Sequence, residues 1–459
     1  MGEPNKNNII TSDIRRNNNI TLLLDLYTTE SRELQESFIL AGYDIPAVVI
    51  EDDGFLPNNV TSVYGYYLGD YASSKGSFGK PRYFNQLEIP AFWEISSNNT
   101  NGEIHDKNKL RAKIFYAAPR NKRMIKSVDW YDEAGIVRYS EHYNKYGVRW
   151  AVTVFDIKGQ HINKSFFDAA GREIILENYA TGNIILNDGE EIRIFDNKTE
   201  FVKHFLKTSG LLRERLFFNS LSTPFFVSLA LEDNGGEDVL FWQEPTRDDI
   251  PGNMQVIFRG EAARCKKVIV QRYNNYKRLI DLGAPRSMTK PLGNIYRYER
   301  DSSHRKEALI CTNSDRVEGL GVLADAFPDV KFNVAALTEM SSKLLSFGSR
   351  DNVKLYPGAK DSTFDELFAD CDIYLDINHE NEIVDALHRA YLNNMLIFGF
   401  ADTSHSRDYV AGEHLVSGCD AGALIELLRG IVSDEAVWDS HLELQRKAAL
   451  AQQSDDFEF

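Results

Sequence analysis

With 459 residues the chain is too long for one ordinary hydrophobic core, and about 100–200 residues per domain predicts two to three domains. Lys+Arg 52 against Asp+Glu 68 gives a net charge of −16, the wrong sign for a nucleic-acid footprint, so no nucleic-acid partner is expected. No apolar run reaches the roughly 18–20 residues of a membrane-spanning helix. The first nineteen residues (MGEPNKNNIITSDIRRNNN) also lack the apolar stretch of a secretory signal.

Residues 1–19 read as a disordered leader. Ile20–Leu26 is an apolar run and a predicted strand. Thr28 and Thr29 offer N-cap oxygens to a helix carrying Leu34, Phe38 and Ala41, and Gly42 closes it. Ile45–Ile50 is a second strand, so the chain opens as βαβ, the start of a Rossmann-like domain. From Tyr64 to Phe195 the pattern changes to alternating runs and turns. Asp129–Gly135 (DWYDEAG), Val154–Gly159 (VFDIKG) and Phe166–Gly171 (FFDAAG) form an imperfect repeat, each an aromatic strand end followed by Asp-x-x-Gly. Asn187–Gly189 is a further turn. This predicts an extended antiparallel sheet. Its aromatics, among them Tyr143, Tyr146 and Trp150, serve either cross-strand packing or an exposed face that binds another chain.

From Glu200 the helical period returns with Phe201, Phe205 and Leu206. Phe225–Leu231 (FFVSLAL), Val239–Trp242 and Val268–Gln271 read as buried parallel strands. The β-rich segment is therefore an insertion in the first Rossmann-like domain. Residues 283–306, with Pro285, Pro291 and Gly293, read as a linker. Five strand-like runs (Ala308–Thr312, Val330–Ala335, Val353–Tyr356, Asp372–Asp376, Met395–Phe400) alternate with helical patterns and predict a second doubly wound sheet. The expected division is 1–19 leader, 20–63 with 196–282 first Rossmann-like domain, 64–195 inserted sheet, 283–306 linker, 307–430 second Rossmann-like domain and 431–459 C-terminal helix and tail.

Cys265, Cys311, Cys371 and Cys419 are far apart in sequence and form no CxxC, so they read as buried reduced thiols, with no metal site and no cofactor expected. The Asn-x-Ser/Thr triplets at Asn59, Asn98 and Asn163 are then chance. His379, His388, His405 and His414 show no hydrolase spacing, and no GxSxG elbow is present.

The second sheet resembles the nucleotide-sugar half of retaining glycosyltransferases. In such enzymes two glutamates eight positions apart hold the donor sugar. On Arg389–Phe400 those slots fall on Asn381 and Arg389, an amide and a cation. The Arg and Lys that neutralise the leaving diphosphate align with Asn313 and Glu318 in Ile310–Glu318 (ICTNSDRVE), with Arg316 as a shifted substitute. Asp25–Thr29 (DLYTT) has no glycine to let backbone approach a phosphate. His379-Glu380-Asn381-Glu382 at a strand's carboxyl end is either a vestigial pocket or a solvated loop.

Three motifs carry a more specific resemblance: GxPxYFNQL (Gly79–Leu87), HYNKYG (His142–Gly147) and WQEPTRDDIPGNMQ (Trp242–Gln255). They are similar to those of the GtfB family, partner subunits of GtfA–GtfB O-glycosyltransferases in accessory Sec export systems, and the likeness runs from about Thr21 to Leu450. It implies an α/β chain with a GT-B-like pair of Rossmann-like domains and an antiparallel extended β-sheet domain inserted in the first. It implies no catalytic residue here, stabilisation of the catalytic subunit GtfA, and binding of the serine-rich-repeat adhesin that receives GlcNAc on Ser/Thr. Tyr143, Tyr146, Trp150, Trp242, Gln243, His379 and Glu380 are the expected acceptor-binding residues. A cytoplasmic location is expected, with peripheral membrane association through the partner. The alternatives are an active retaining GT-B glycosyltransferase using a UDP-sugar, with Glu380 or Glu382 as displaced carboxylates, and a free-standing chaperone of a Ser-rich chain.

Overall fold

The computed structural model describes residues 19–69, 79–189, 191–245 and 247–459. The expected leader lies outside them except for Asn19, as do 70–78 and Glu190 of the expected insertion and Thr246 of the third motif. Two compact units emerge, one comprising the chain up to Ile269 with Arg278–Lys290, the other Val270–Lys277 with Pro291–Phe459.

The first unit is built on a sheet whose strands run, in spatial order, Thr289–Pro291, Cys265–Val270, Asp238–Trp242, Arg215–Phe218, Ile20–Leu26, Ala47–Glu51 and Thr61–Ser62. Counted along the chain, the order 3-2-1-4-5-6 is the doubly wound one, with an extra edge strand. Helix Thr29–Leu40 follows the first strand because Thr28 caps it, accepting from Ser31 N at 3.3 Å. Gly42, at φ 83°, then lets the chain turn back.

One expected strand is a helix. Phe225–Leu231 lies in helix Thr223–Ala230, with Pro224 in its first turn, and the strand is Arg215–Phe218 instead. A short apolar run has no period that separates a buried strand from a buried helix. Pro224 favours the helix start, and of the large side chains in that run Phe226 and Leu229, three apart, are left exposed.

Between the third and fourth strands the chain forms a ten-stranded antiparallel meander from Glu94–Ser97 to Ile192–Phe195. The sheet opens at Glu94 rather than at Tyr64, because Val63–Tyr67 is a short helix capped by Ser62. Four of its turns are built alike. Asp132, Asn144, Asp156 and Asp168 stand twelve residues apart. Each accepts through Oδ1 from the backbone N–H two and four residues on. The glycine three residues on has φ between 76° and 80° in every case, a left-handed conformation that favours Gly.

Register fixes the two faces. Val128 opposes Glu141, Glu141 opposes Val152, and the row continues through Ser165, Leu176, Ile185 and Ile194 on edge strand Ile192–Phe195. At one end this face is covered by segment 82–93, whose Phe84, Leu87, Ile89 and Trp93 pack on Ile104, Ala112, Ile114 and Val128. At the other end Ile192 and Ile194 are 65% and 66% exposed. The opposite face meets the Rossmann-like half: Phe166 stacks on Tyr64 at 4.4 Å between centroids and packs against Trp150 at 5.5 Å.

The second unit holds six parallel strands in the order Val353–Tyr356, Lys331–Ala335, Glu307–Cys311, Ile373–Asp376, Leu396–Phe400, Leu415–Val416, again 3-2-1-4-5-6. Its four central strands are buried on both faces between helices, which explains their near-continuous apolar runs. Helix Glu435–Ala448 places Trp438 and Leu442 in that core, and Gln445 Oε1 accepts from Ile397 N at 2.9 Å. Within the stretch read as a linker, Thr289–Pro291 is edge strand and Tyr296 is buried against Tyr391.

Candidate functional site

In open α/β sheets ligands sit at the carboxyl ends of the strands. At that end of the second sheet the polar groups are engaged with one another. Val317 bridges Asn378, and His379 N donates to Arg316 O at 3.1 Å. This contact sets two ion pairs side by side: Arg316 Nη1 lies 3.1 Å from Glu380 Oε1, and His379 Nε2 lies 2.9 Å from Glu318 Oε2. Thr312 Oγ1 donates to Asn378 Oδ1 at 2.9 Å, and Asn313 Oδ1 accepts from Leu337 N at 2.9 Å. Asp376, almost fully buried, receives His405 Nδ1 at 2.5 Å, while His405 Nε2 meets Glu380 O. The hydrogen bond to Asp376, working against burial, raises the His405 pKa to about 9. Gly399 makes this corner possible, since a Cβ there would lie 2.5 Å from Asp376 O.

The donor-site replacements Asn381 and Arg389 do not come together. Asn381 is exposed on the loop after the strand. Arg389 points to the neighbouring helix Asp361–Asp370, with Nη2 2.6 Å from Asp365 Oδ1 and its guanidinium 4.2 Å from the Phe368 ring centroid. Glu380 and Glu382, the displaced carboxylates of the enzymatic alternative, are both committed: Glu380 pairs with Arg316, and Glu382 Oε1 accepts from Leu387 N at 2.8 Å. Arg316, the shifted substitute for a diphosphate-binding cation, is therefore already partnered.

At the carboxyl end of the first sheet, Gln243 Nε2 donates to Glu30 O at 2.9 Å and its Oε1 accepts from Asn219 Nδ2 at 3.0 Å. Asn219 also accepts from Asp25 N at 3.0 Å. These bonds brace the turn after strand Ile20–Leu26, where a nucleotide-binding chain would carry glycine. Trp242, the last residue of strand Asp238–Trp242, is buried.

The aromatic residues of the insertion divide differently from an exposed face. Trp150 and Tyr143 are 1% and 3% exposed, Trp150 as a core residue against Phe166 and Tyr143 with its OH donating to Glu141 Oε2 at 3.1 Å. The register of this strand against Arg149–Phe155 shifts between His142 and Tyr143. Tyr146 is half-buried at the hairpin tip under Lys145. The residues expected to bind acceptor thus fall in three places: Tyr143, Tyr146 and Trp150 in the insertion, Trp242 and Gln243 in the first parallel sheet, and His379 and Glu380 in the second.

The thiols Cys265, Cys311 and Cys371 are buried, and burial pushes Cys265 and Cys371 up to about 12. Sequence separation hid one cluster. Glu318, His379 and Cys419 bring ligand-type atoms within 4.8 Å of one another, although the Glu318–His379 pair already uses two of them.

Four family models match in chain order: GtfB N-terminal domain over 21–67, GtfB middle domain over 93–196, GtfB third domain over 198–282 and GftB/GlyA-F C-terminal domain over 308–445. The chain is 42% identical over 412 residues to a Streptococcus agalactiae protein named UDP-N-acetylglucosamine–peptide N-acetylglucosaminyltransferase stabilizing protein GtfB, covering 89% of this chain and 92% of that one. It is 39% identical over 430 residues to the Streptococcus gordonii protein of the same name, covering 93% and 95%. Among solved structures it resembles a chain in a crystal structure of a GtfA/B complex bound to UDP and GlcNAc, with a TM-score of 0.89, 38% identity and coverage of 95% and 97%. A Staphylococcus aureus TarM structure, at 12% identity and a TM-score of 0.51, shares the GT-B-like fold alone. The relatives are named for stabilising a transferase, not for transfer, and a chain whose strand-end charges are spent on each other agrees with that: it belongs to the GtfB family.

Proposed function

We propose that this chain is the non-catalytic partner of a GtfA-type O-GlcNAc transferase, stabilising that subunit and holding the Ser/Thr-rich acceptor. The observation that carries the reading is the pairing of Arg316 with Glu380 and of His379 with Glu318 where a donor would need open charges. Transition-state stabilisation by such groups is worth about 10²–10³ in rate for each one removed, and among the described residues these two pairs already engage each other at that place.

Partner binding falls to the meander. Its face is open where Leu176, Ile185, Ile194 and Ile192 line up towards an edge strand. An exposed apolar edge is an aggregation liability unless something covers it, and a catalytic subunit on the same plan would present a matching sheet. An interface of that kind is expected to bury more than about 2,000 Å² in total. The acceptor, a serine-rich-repeat adhesin awaiting accessory Sec export, has no core of its own and would be held extended through main-chain and side-chain contacts. The complex would act in the cytoplasm, meeting the membrane only peripherally; among the described residues no helix is long and apolar enough to cross one.

The test is co-expression with the catalytic subunit. Co-purification, together with a longer half-life of the catalytic subunit than when it is expressed alone, is the expected result. A catalytic subunit that is equally stable and active without this chain would overturn the reading.

A further inference from the structure

Four neighbouring strands of the second sheet bring side chains of metal-ligating type to their carboxyl ends. Glu318 follows strand Glu307–Cys311, His379 follows Ile373–Asp376, Asp402 follows Leu396–Phe400 and Cys419 follows Leu415–Val416. One ligand-type atom each of Glu318, His379 and Cys419 lies within 4.8 Å of the others. His379 Nε2 is 2.9 Å from Glu318 Oε2, and Asp402 Oδ2 is 3.9 Å from Cys419 Sγ. The backbone sets these positions. Glu318 N donates to Ile377 O at 2.8 Å and His379 N to Arg316 O at 3.1 Å, so the two segments run side by side. Gly319, at φ 66°, lets helix Ala421–Val432 come close, since a Cβ there would lie 3.2 Å from Ala421 Cβ. Cys419, two residues before that helix, is carried to Glu318 with it. It is half-buried, whereas the other three thiols are buried.

The donor set narrows the ligand. An anion would face Glu318 and Asp402, while Arg316 is held by Glu380 and His405 by Asp376. A thiol and an imidazole are poor ligands for Mg²⁺ or Ca²⁺, which are bound through oxygen. Partial burial, Glu318 and Asp402 all push the Cys419 thiol up, away from the thiolate that a nucleophile or redox sensor needs. Imidazole, thiolate and carboxylate together are a zinc-type set. An ion bound about 2.0–2.3 Å from each atom would hold tetrahedral ligands about 3.3–3.6 Å apart. The His379–Glu318 pair would open slightly and the widest gap would close by about 1 Å, which side-chain rotation supplies. We propose that Glu318, His379 and Cys419 bind one zinc-class divalent cation, with water or Asp402 in the fourth position. Binding replaces the hydrogen bond between His379 and Glu318 by two bonds to the ion, and the Cys419 thiol gives up its proton to solvent as its bond to the ion forms. The ion would clamp the ends of neighbouring strands to the segment that opens helix Ala421–Val432, a stabilising role that needs neither substrate nor partner.

The experiment uses the full chain, reduced and stripped of metal, with Co²⁺ and then Zn²⁺ as probes. A single equivalent of Co²⁺ is expected to give the thiolate-to-cobalt charge-transfer band and the visible bands of a tetrahedral site, and Zn²⁺ is expected to abolish both. Zn²⁺ affinity, measured by competition with a chromophoric chelator, should fall by at least about 10–100-fold in Cys419→Ser, in His379→Ala and in Glu318→Gln, since even an outer partner of a ligand carries a loss of that size. The cobalt charge-transfer band should vanish in Cys419→Ser. A weak octahedral cobalt spectrum without the thiolate band, a band that survives Cys419→Ser, or an unchanged Zn²⁺ affinity in any of the three variants overturns the proposal. Alkylation of the unmodified chain, mapped by mass spectrometry, needs no variant to fold: Zn²⁺ should slow the modification of Cys419 severalfold, and an equal rate with and without Zn²⁺ overturns the site.

Discussion

His405 Nδ1 lies 2.5 Å from Asp376 Oδ1, and the His405 backbone N donates to the other oxygen, Oδ2, at 2.9 Å. One residue thus closes the carboxyl end of strand Ile373–Asp376 through both its ring and its backbone. Because the hydrogen bond to Asp376 raises the His405 pKa to about 9, its contribution to stability is complete below the unfolded value near 6.5. It is lost as pH rises through about 9. His405→Gln is therefore expected to lower stability by about 1–2 kcal/mol at pH 6, allowing for partial screening by solvent, and to have little effect at pH 10. Thermal melts of both proteins across that range check it; a difference that does not shrink with pH refutes it.

A second ion pair is expected to matter more. Arg264 donates from Nε and Nη2 to the two oxygens of Asp238, each at 2.9 Å, with 3% and 0% of the side chains exposed. Asp238 also takes Ser228 Oγ and Leu216 N. Asp238→Ala leaves a buried guanidinium uncompensated and is expected to cost about 3–5 kcal/mol. Arg316→Ala, which breaks a solvent-exposed pair, is expected to cost no more than about 1 kcal/mol. Denaturant melts of the two variants should rank in that order.

Ile185 and Ile194 oppose each other on the open face of the meander. Ile185→Asp with Ile194→Asp would place two like charges in the proposed interface. Co-purification with the catalytic subunit is expected to fall at least about tenfold, as expected for buried, unpaired charges. The isolated chain, where Ile194 is already in water, should keep its melting temperature to within a few degrees. Unchanged co-purification would move the interface elsewhere.

The isolated chain is expected to turn over no UDP-GlcNAc on a Ser-rich peptide. Restoring carboxylates through Asn381→Glu with Arg389→Glu should not create activity, because Arg389 faces Asp365 and Phe368 rather than the strand ends. Chromatographic detection of UDP release settles it. Turnover by the unmodified chain that is abolished by Glu380→Gln would show that the site is alive.

The sequence by itself determined the periodic features. Runs of β-branched and aliphatic residues fixed two parallel sheets, and the Thr28 and Gly42 signals bounded the first helix. Asp-x-x-Gly announced three of four like turns, because each needs one acceptor side chain and one left-handed residue, both local. The fourth escaped because Asn144 does the work of Asp. The motifs shared with GtfB proteins were also legible, since they are contiguous. What only the tertiary structure decided is where non-local neighbours fall. An apolar run such as FFVSLAL carries no period until its surroundings choose helix. Tyr143 and Trp150 became core only through what packs on them, Phe166 against Trp150 and Glu141 against Tyr143. Arg316 meets Glu380, and Cys419 meets His379, only through strand order. Charges that look available in sequence are spent or free according to those pairings, because Coulomb and hydrogen-bond energies depend on distances of a few ångströms that local sequence does not encode.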